Sequence, residues 1–278
     1  MPWTFVHPAA VLPLRRYLAN RHLFGAVVVG SVSPDFGYYV GRFDMATSAH
    51  TLLGLLTVCL PTGLALLVII RMLHRPVANL LPQPHRQAIL SLPRMPQLGS
   101  LITVLYVSAS IILGAVTHNI WDSFTHRAGY VVARWPPLQM PAFILGTKTI
   151  RVFEVLQHAS TAIGLIIVLS VYLRWLRSTD HGTTVPSSLS DGWRYGILVS
   201  LAVISLVLSI PVAHAVSATS VGPVNITRFL VRYVICATTI FGVTLSAASL
   251  LIAHRNSRLT IGSSDRGAAS SVNQGGDQ

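Results

Sequence analysis

The sequence predicts an all-α, polytopic membrane protein. We expect a bundle of five transmembrane helices and an N-terminal segment that is either re-entrant or a sixth helix. Of the 278 residues, 52% are hydrophobic and only 10% are charged, whereas about a quarter of the residues of a soluble domain are charged. A helix needs about 20 apolar residues to cross the hydrocarbon layer of a membrane. Apolar runs of that length cover residues 49–73, 98–121, 152–176, 193–216 and 229–253.

The segments outside these runs complete the predicted organisation. Residues 1–48 are rich in proline, and their apolar stretch 23–41 is interrupted by proline, aspartate and several glycines, which favours an irregular hairpin. The distribution of Lys and Arg between the two sides of the membrane mildly favours six crossings. With five crossings the two sides carry equal numbers, and the distribution predicts no orientation. Residues 1–254 are expected to form a single integral-membrane helical domain. The Ser- and Gly-rich residues 255–278 predict a disordered tail.

The formal net charge of +12 does not indicate a nucleic-acid partner. The basic residues lie in connections and at segment ends, which is typical of the anchors that flank membrane helices. We therefore expect membrane lipids as partners and no nucleic acid.

Acidic residues are scarce, with seven Asp and one Glu in the whole chain. Three of them, Asp35, Asp122 and Glu154, lie in or beside apolar segments. An ionisable group at membrane depth costs at least a few kcal/mol, so it indicates a functional site with a partner group.

Histidines provide those partners. His118 and Asp122 are four residues apart at the end of one apolar run, and Glu154 and His158 have the same spacing at the start of the next. This spacing places two side chains on one face of a helix. His50 begins the run 49–73, which is antiparallel to 98–121, so all these groups are expected at the same membrane face.

Imidazole and carboxylate groups gathered in this way are typical ligands of a divalent metal. Asp35, His50, His118 and Asp122 form a mixed nitrogen and oxygen set that suits zinc first, with manganese or iron as alternatives. His126 continues the same four-residue spacing and is a further candidate ligand. With two metals held close together, sites of this kind hydrolyse phosphoesters by generating a hydroxide and stabilising the leaving oxygen.

Simpler interpretations remain open at this stage. Asp122 can hold His118 by a hydrogen bond alone, and Asp35 can cap a helix. His126 can be an ordinary loop residue. Glu154 and His158 can form an ion pair that fixes helix packing.

Several blocks of the sequence resemble a bacterial membrane family catalogued as domain of unknown function 4184. More distantly, they are similar to inner-membrane metal-dependent hydrolases of the YdjM type and to the group of zinc-dependent phospholipase C and nuclease P1. The block P-D-F-G lacks the second Asp that is usual in the YdjM-type hydrolases. The blocks are PWTFVHPAAVLPL, GSVSPD (30–35), SAHTLLGLL (48–56), GAVTHNIWDSFTH (114–126) and LQHASTAIGLI (156–166).

The resemblance implies His7 as a further metal ligand and an enzyme of the bacterial cytoplasmic (inner) membrane. A crossing at residues 23–41 would place His7 about 30 Å from the other ligands, so recruiting it favours five crossings. We therefore predict a membrane-embedded metal-dependent hydrolase of a phosphoester or lipid-linked substrate, with Glu154 and His158 as catalytic residues. The alternative is a non-catalytic membrane protein, either a structural partner or a metal or proton carrier, with a residual polar cluster.

Overall fold

The computed structural model describes residues 3–18, 21–92, 99–146, 148–179, 189–218 and 226–273. Nearly all of the secondary structure in these residues is helical, which confirms the predicted fold class. Five helices are long and apolar enough to cross a membrane, and they coincide with the five predicted segments within a few residues at most ends. They are Leu52–Leu80, Leu101–Thr125, Val152–Ser178, Asp191–Ser217 and Arg228–Arg255. The chain is therefore an integral membrane protein.

The N-terminal region is a series of short helices, as its prolines and glycines predict. The longest of them, α2, has ten residues and is only about 15 Å long, half the thickness of the hydrocarbon layer. Residues 23–41 therefore do not form a sixth spanning helix. The α-helices are α1 (Pro8–Val11), α2 (Arg21–Gly30), α3 (Phe36–Tyr39) and α4 (Phe43–Ala49), and the 3₁₀ turns are Thr4–Val6, Leu12–Arg16 and Ser33–Asp35.

The first spanning helix combines α5, a π-helical turn and α6, and it is followed by the short helix α7. The spanning helix α8 is joined to the spanning helix α11 by two short helices and an antiparallel β-hairpin. The bounds are α5 (Leu52–Gly54), the π turn (Leu55–Cys59), α6 (Leu60–Leu80), α7 (His85–Leu90), α8 (Leu101–Thr125), α9 (Tyr130–Arg134), α10 (Pro136–Gln139), β1 (Pro141–Leu145), β2 (Lys148–Arg151) and α11 (Val152–Ser178).

The last two helices are α12 (Asp191–Ala218) and α13 (Ile226–Asn273). Helix α13 continues through most of the segment for which the composition predicts a disordered tail, and residues 274–278 lie outside the described residues. The chain divides into two compact units, one of residues 1–71 and 93–180 and one of residues 72–92 and 181–278. In the second unit α12 packs along α13, and the buried Arg194 donates to the Asn79 carbonyl at 3.1 Å.

In the first unit, two glycines allow α2 and α8 to cross at very short distance. A Cβ on Gly30 would lie 2.1 Å from the carbonyl oxygen of Ile111, and one on Gly114 would lie 2.1 Å from that of Val27. Small residues let helix backbones approach in this way in membrane proteins. The crossing brings the end of α2 beside the last turns of α8, where the polar residues of α8 lie.

Candidate metal centre

Four side chains predicted as metal ligands converge in the first unit. One ligand atom from each of Asp35, His50, His118 and Asp122 lies within 4.8 Å of the other three. The Asp122 Oδ2 atom is 3.2 Å from His118 Nε2 and 3.3 Å from His50 Nε2. The Asp35 Oδ1 atom is 3.6 Å from His118 Nε2 and 3.8 Å from His50 Nε2.

Three separate elements deliver these side chains. His118 and Asp122 lie one turn apart on the same face of α8, as their spacing predicts. His50 is the residue that ends α4, and Asp35 ends the 3₁₀ turn that follows α2. Asp35, His118 and Asp122 are buried, whereas the His50 side chain is 25% exposed.

Backbone carbonyls orient both histidines. His118 Nδ1 lies 2.8 Å from the carbonyl oxygen of Ser31, and His50 Nδ1 lies 2.7 Å from that of Ala46. A carbonyl oxygen can only accept, so each Nδ1 carries the hydrogen and donates it. The lone pair of each Nε2 then faces the other members of the group. This is the usual arrangement of a metal-binding histidine.

Thr4 fixes one oxygen of Asp35. Its Oγ1 donates to Asp35 Oδ2 at 2.6 Å, which leaves Oδ1 facing the two histidines. Asp35 occupies the N-cap position of α3, but its side chain makes no capping hydrogen bond. The helix-cap interpretation of Asp35 is therefore wrong.

Most inward-facing atoms of the cluster have no hydrogen-bond partner among the described residues. They are Asp35 Oδ1, His118 Nε2, both carboxylate oxygens of Asp122, and both ring nitrogens of His7. Buried polar atoms without a partner are rare in native proteins because each costs free energy. A bound cation would satisfy the inward acceptors together.

The spacing of the four ligand atoms fits a metal ion. Zinc bonds of ~2.0–2.1 Å in a tetrahedral site place neighbouring ligand atoms ~3.3–3.4 Å apart. The separations of 3.2, 3.3, 3.6 and 3.8 Å in this group bracket that value. The group Asp35, His50, His118 and Asp122 can therefore hold one divalent metal ion.

His7 and His126 lie beside the other oxygen of Asp122. Its Oδ1 is 3.6 Å from His7 Nε2 and 3.4 Å from His126 Nδ1. The His7 ring stacks on the His118 ring with centroids 3.8 Å apart. Burial is the largest cause that lowers the pKa of His7 to about 3, so this imidazole is neutral at neutral pH. Both histidines adjoin the four-residue group, and their role as ligands stays a prediction.

Glu154 and His158 are not members of the four-residue group. The carboxylate of Glu154 accepts from Lys148 Nζ at 2.8 Å and from the Arg151 backbone N–H at 3.0 Å, and so caps the start of α11. His158 is exposed on α11. No described contact tests the catalytic role predicted for these two residues.

Sequence reasoning missed the residues that orient the ligands. Thr4 lies far from Asp35 in sequence and is one of many threonines, so no local pattern distinguishes it. Ser31 and Ala46 act through backbone carbonyls, for which any residue type would serve. Gly30, in the block GSVSPD (30–35), was the one sequence feature that could have indicated the contact between Ser31 and His118, because it permits the helix crossing that brings them together.

A family model described as a domain of unknown function (DUF4184) matches residues 1–253. No curated protein and no solved structure matches the chain.

Proposed function

The chain belongs to the DUF4184 family, and from its site we propose that it is a zinc-dependent hydrolase of phosphoesters in the bacterial cytoplasmic membrane. One observation carries the proposal. Asp35, His50, His118 and Asp122 gather ligand atoms within 4.8 Å of one another, with separations of 3.2, 3.3, 3.6 and 3.8 Å between carboxylate and imidazole atoms, and several of these atoms are buried without a hydrogen-bond partner.

The chemistry of the ligands favours zinc over other metals. Two neutral imidazoles and two carboxylates supply a mixed nitrogen and oxygen set with a charge that balances a divalent cation. Harder ions such as Mg²⁺ prefer oxygen ligands alone, whereas manganese and iron accept such mixed sets. Manganese and iron are therefore the alternatives that a reconstitution experiment must include.

The reaction is the addition of water to phosphorus, with loss of an alcohol. The P–O bond to the alcohol breaks, and the leaving oxygen takes up a proton. A divalent metal held by Asp35, His50, His118 and Asp122 would act as a Lewis acid, which would withdraw charge from a phosphoryl oxygen and make a nearby water more acidic. His126, whose side chain is 28% exposed, lies where it can carry the proton between the site and solvent. The Glu154 carboxylate accepts hydrogen bonds from Lys148 Nζ and the Arg151 backbone N–H, so we place no step on it.

Hydrolysis assays on purified protein test the proposal. The protein in detergent is stripped of metal and reconstituted with zinc, manganese or ferrous iron. It is then assayed with p-nitrophenyl phosphate, bis(p-nitrophenyl) phosphate and long-chain phosphatidic acid. The matched variants are Asp122→Asn and Asp44→Asn. Asp44 serves as the control because it is an exposed aspartate outside the cluster, and its Oδ2 atom lies 2.7 Å from Arg42 Nη2.

We expect metal-dependent hydrolysis that is retained in Asp44→Asn and reduced by roughly a hundredfold or more in Asp122→Asn. Equal rates in the two variants would overturn the proposal. Stoichiometric metal without hydrolysis of any of the three substrates would also overturn it, and would favour the non-catalytic alternative.

A further inference from the structure

An apolar groove lies beside the metal centre and extends along two membrane-spanning helices. It lies between the N-terminal residues, α8 and α11, and its volume is ≈ 510 Å³, within the range of about 300–1,000 Å³ that is typical of ligand sites. Its walls are largely apolar. The walls include Ala10, Ile120, Phe124, Leu156, Ile163 and Ile167.

The groove adjoins the metal centre through two of its wall residues. His7 forms part of its wall, and His7 Nε2 is 3.6 Å from Asp122 Oδ1. Thr125 forms another part, and its Oγ1 is 3.3 Å from His126 Nδ1. A molecule in the groove therefore lies one side chain away from the metal centre.

The length of the groove matches one leaflet of a bilayer. On α11 its wall extends from Leu156, near the start of the spanning helix, to Ile167 near the middle. The eleven residue steps between them rise about 16 Å, and half of the hydrocarbon layer is about 15 Å thick. The groove thus runs from the membrane face that carries the cluster to the centre of the bilayer.

The groove opens to the lipid side of the first unit. Ile120 and Ile163 are 56% and 57% exposed, on two helices that span the membrane. The molecules that surround such helices are lipids, so the occupant can enter sideways from the bilayer. Lipid tails are as apolar as these side chains, so the groove adds little affinity and instead positions the headgroup.

We propose that the groove holds one hydrocarbon tail of a lipid phosphoester and that the substrate is therefore a membrane lipid with a phosphate near the cluster. The assignment of a substrate rests on the proposed hydrolase function. The occupancy of the groove by a lipid tail rests on the length, lining and opening of the groove alone.

Photolabelling tests the occupant without requiring hydrolysis. The zinc-loaded protein is reconstituted in phosphatidylcholine vesicles that contain a small fraction of phosphatidic acid with a diazirine at the end of one acyl chain. After irradiation, labelled peptides are mapped by mass spectrometry. Ala159→Phe places a ring in the groove, whereas Ala162→Phe places the same ring on an exposed position of α11 that does not line it.

We expect labelling at Ile163 and Ile167 that Ala159→Phe abolishes and Ala162→Phe preserves. The ratio of phosphatidic acid hydrolysis to p-nitrophenyl phosphate hydrolysis should fall by roughly tenfold or more in Ala159→Phe alone, because the tail orients the phosphate. Zinc content equal to that of the wild type shows that the variant is folded. Leu156→Trp, in the wall of the groove on α11, provides a second obstruction with the same expected result.

The outcomes separate the two proposals. Hydrolysis of p-nitrophenyl phosphate without groove labelling, or equal labelling of Ala159→Phe and Ala162→Phe, would overturn the groove assignment alone. Groove labelling without hydrolysis of any substrate would overturn the proposed hydrolase function, and the groove would remain a lipid-binding site.

Discussion

Replacing Thr4 with valine should weaken zinc binding without changing any proposed ligand. Thr4 Oγ1 donates to Asp35 Oδ2 at 2.6 Å, and both side chains are buried. Valine has the same shape but cannot donate. A hydrogen bond to a charged group contributes about 1.5–3 kcal/mol, and loss of an outer partner of a ligand lowers metal affinity by about 10–100-fold. At about 1.4 kcal/mol per tenfold change, the two estimates agree.

Competition against a chromophoric zinc chelator measures this affinity on detergent-purified protein. Thr57→Val is the matched control, because Thr57 is exposed and its hydroxyl donates only to the Leu53 carbonyl of its own helix. We expect Thr4→Val to release zinc at a chelator concentration about 10–100-fold lower than the control does. Equal affinities in Thr4→Val and Thr57→Val would refute the argument that Thr4 orients Asp35 as a ligand.

Three further predictions concern the helix crossing, the cap of α11 and the metal itself. Gly114→Ala should lower both the melting temperature and the zinc affinity, because the added methyl group would lie 2.1 Å from a carbonyl oxygen of α2. Gly242→Ala, whose added methyl group would meet nothing within 4 Å, should lower neither. Similar losses in the two variants would contradict the role of the crossing. Glu154→Gln should keep metal and hydrolysis and lose about 1 kcal/mol of stability or less; loss of hydrolysis with the fold intact would return the catalytic role to Glu154. Removal of zinc by a chelator should lower the melting temperature of the wild type, since a ligand at a hundred times its Kd stabilises the folded state by about 2.7 kcal/mol. The same treatment should leave the melting temperature of His118→Ala unchanged. A wild-type melting temperature that does not change with the chelator would count against a bound metal.

Much of the fold follows from the sequence because the hydrocarbon layer offers the backbone no hydrogen-bond partners. A backbone in the hydrocarbon layer must satisfy its own hydrogen bonds, so apolar runs of sufficient length become helices. The five runs and the irregular N-terminal region are predictable for that reason. The hairpin of β1 and β2 is not, because it lies outside the apolar segments and depends on local pairing between residues that the hydropathy pattern does not mark.

The parts of the candidate site that are predictable are those marked by the scarcity of charged residues in the membrane segments. Asp35 and Asp122 are conspicuous because few acidic residues lie near membrane depth, and the four-residue spacing of His118 and Asp122 predicts their common face. The same reasoning gives Glu154 and His158 equal weight. It cannot anticipate that the hairpin brings Lys148 to the Glu154 carboxylate at 2.8 Å, because that contact depends on the path of the chain between two helices.

The supporting contacts of the site lie beyond sequence reasoning for a different reason. The carbonyl of Ser31 reaches His118 only because α2 and α8 cross at two glycines. The effect of a glycine on helix distance depends on which helix lies opposite, and that is a property of the three-dimensional packing. A sequence therefore identifies the ligands more readily than the groups that hold them in place.

The metal content of purified protein tests the central claim most directly. Wild type and His118→Ala are exposed to excess zinc in detergent, dialysed without chelator and analysed by inductively coupled plasma mass spectrometry. Our account predicts about one zinc per wild-type chain, from the four-ligand geometry, and none above background in His118→Ala. Equal zinc in the two proteins, or none in either, would contradict the assignment of Asp35, His50, His118 and Asp122 as a metal centre.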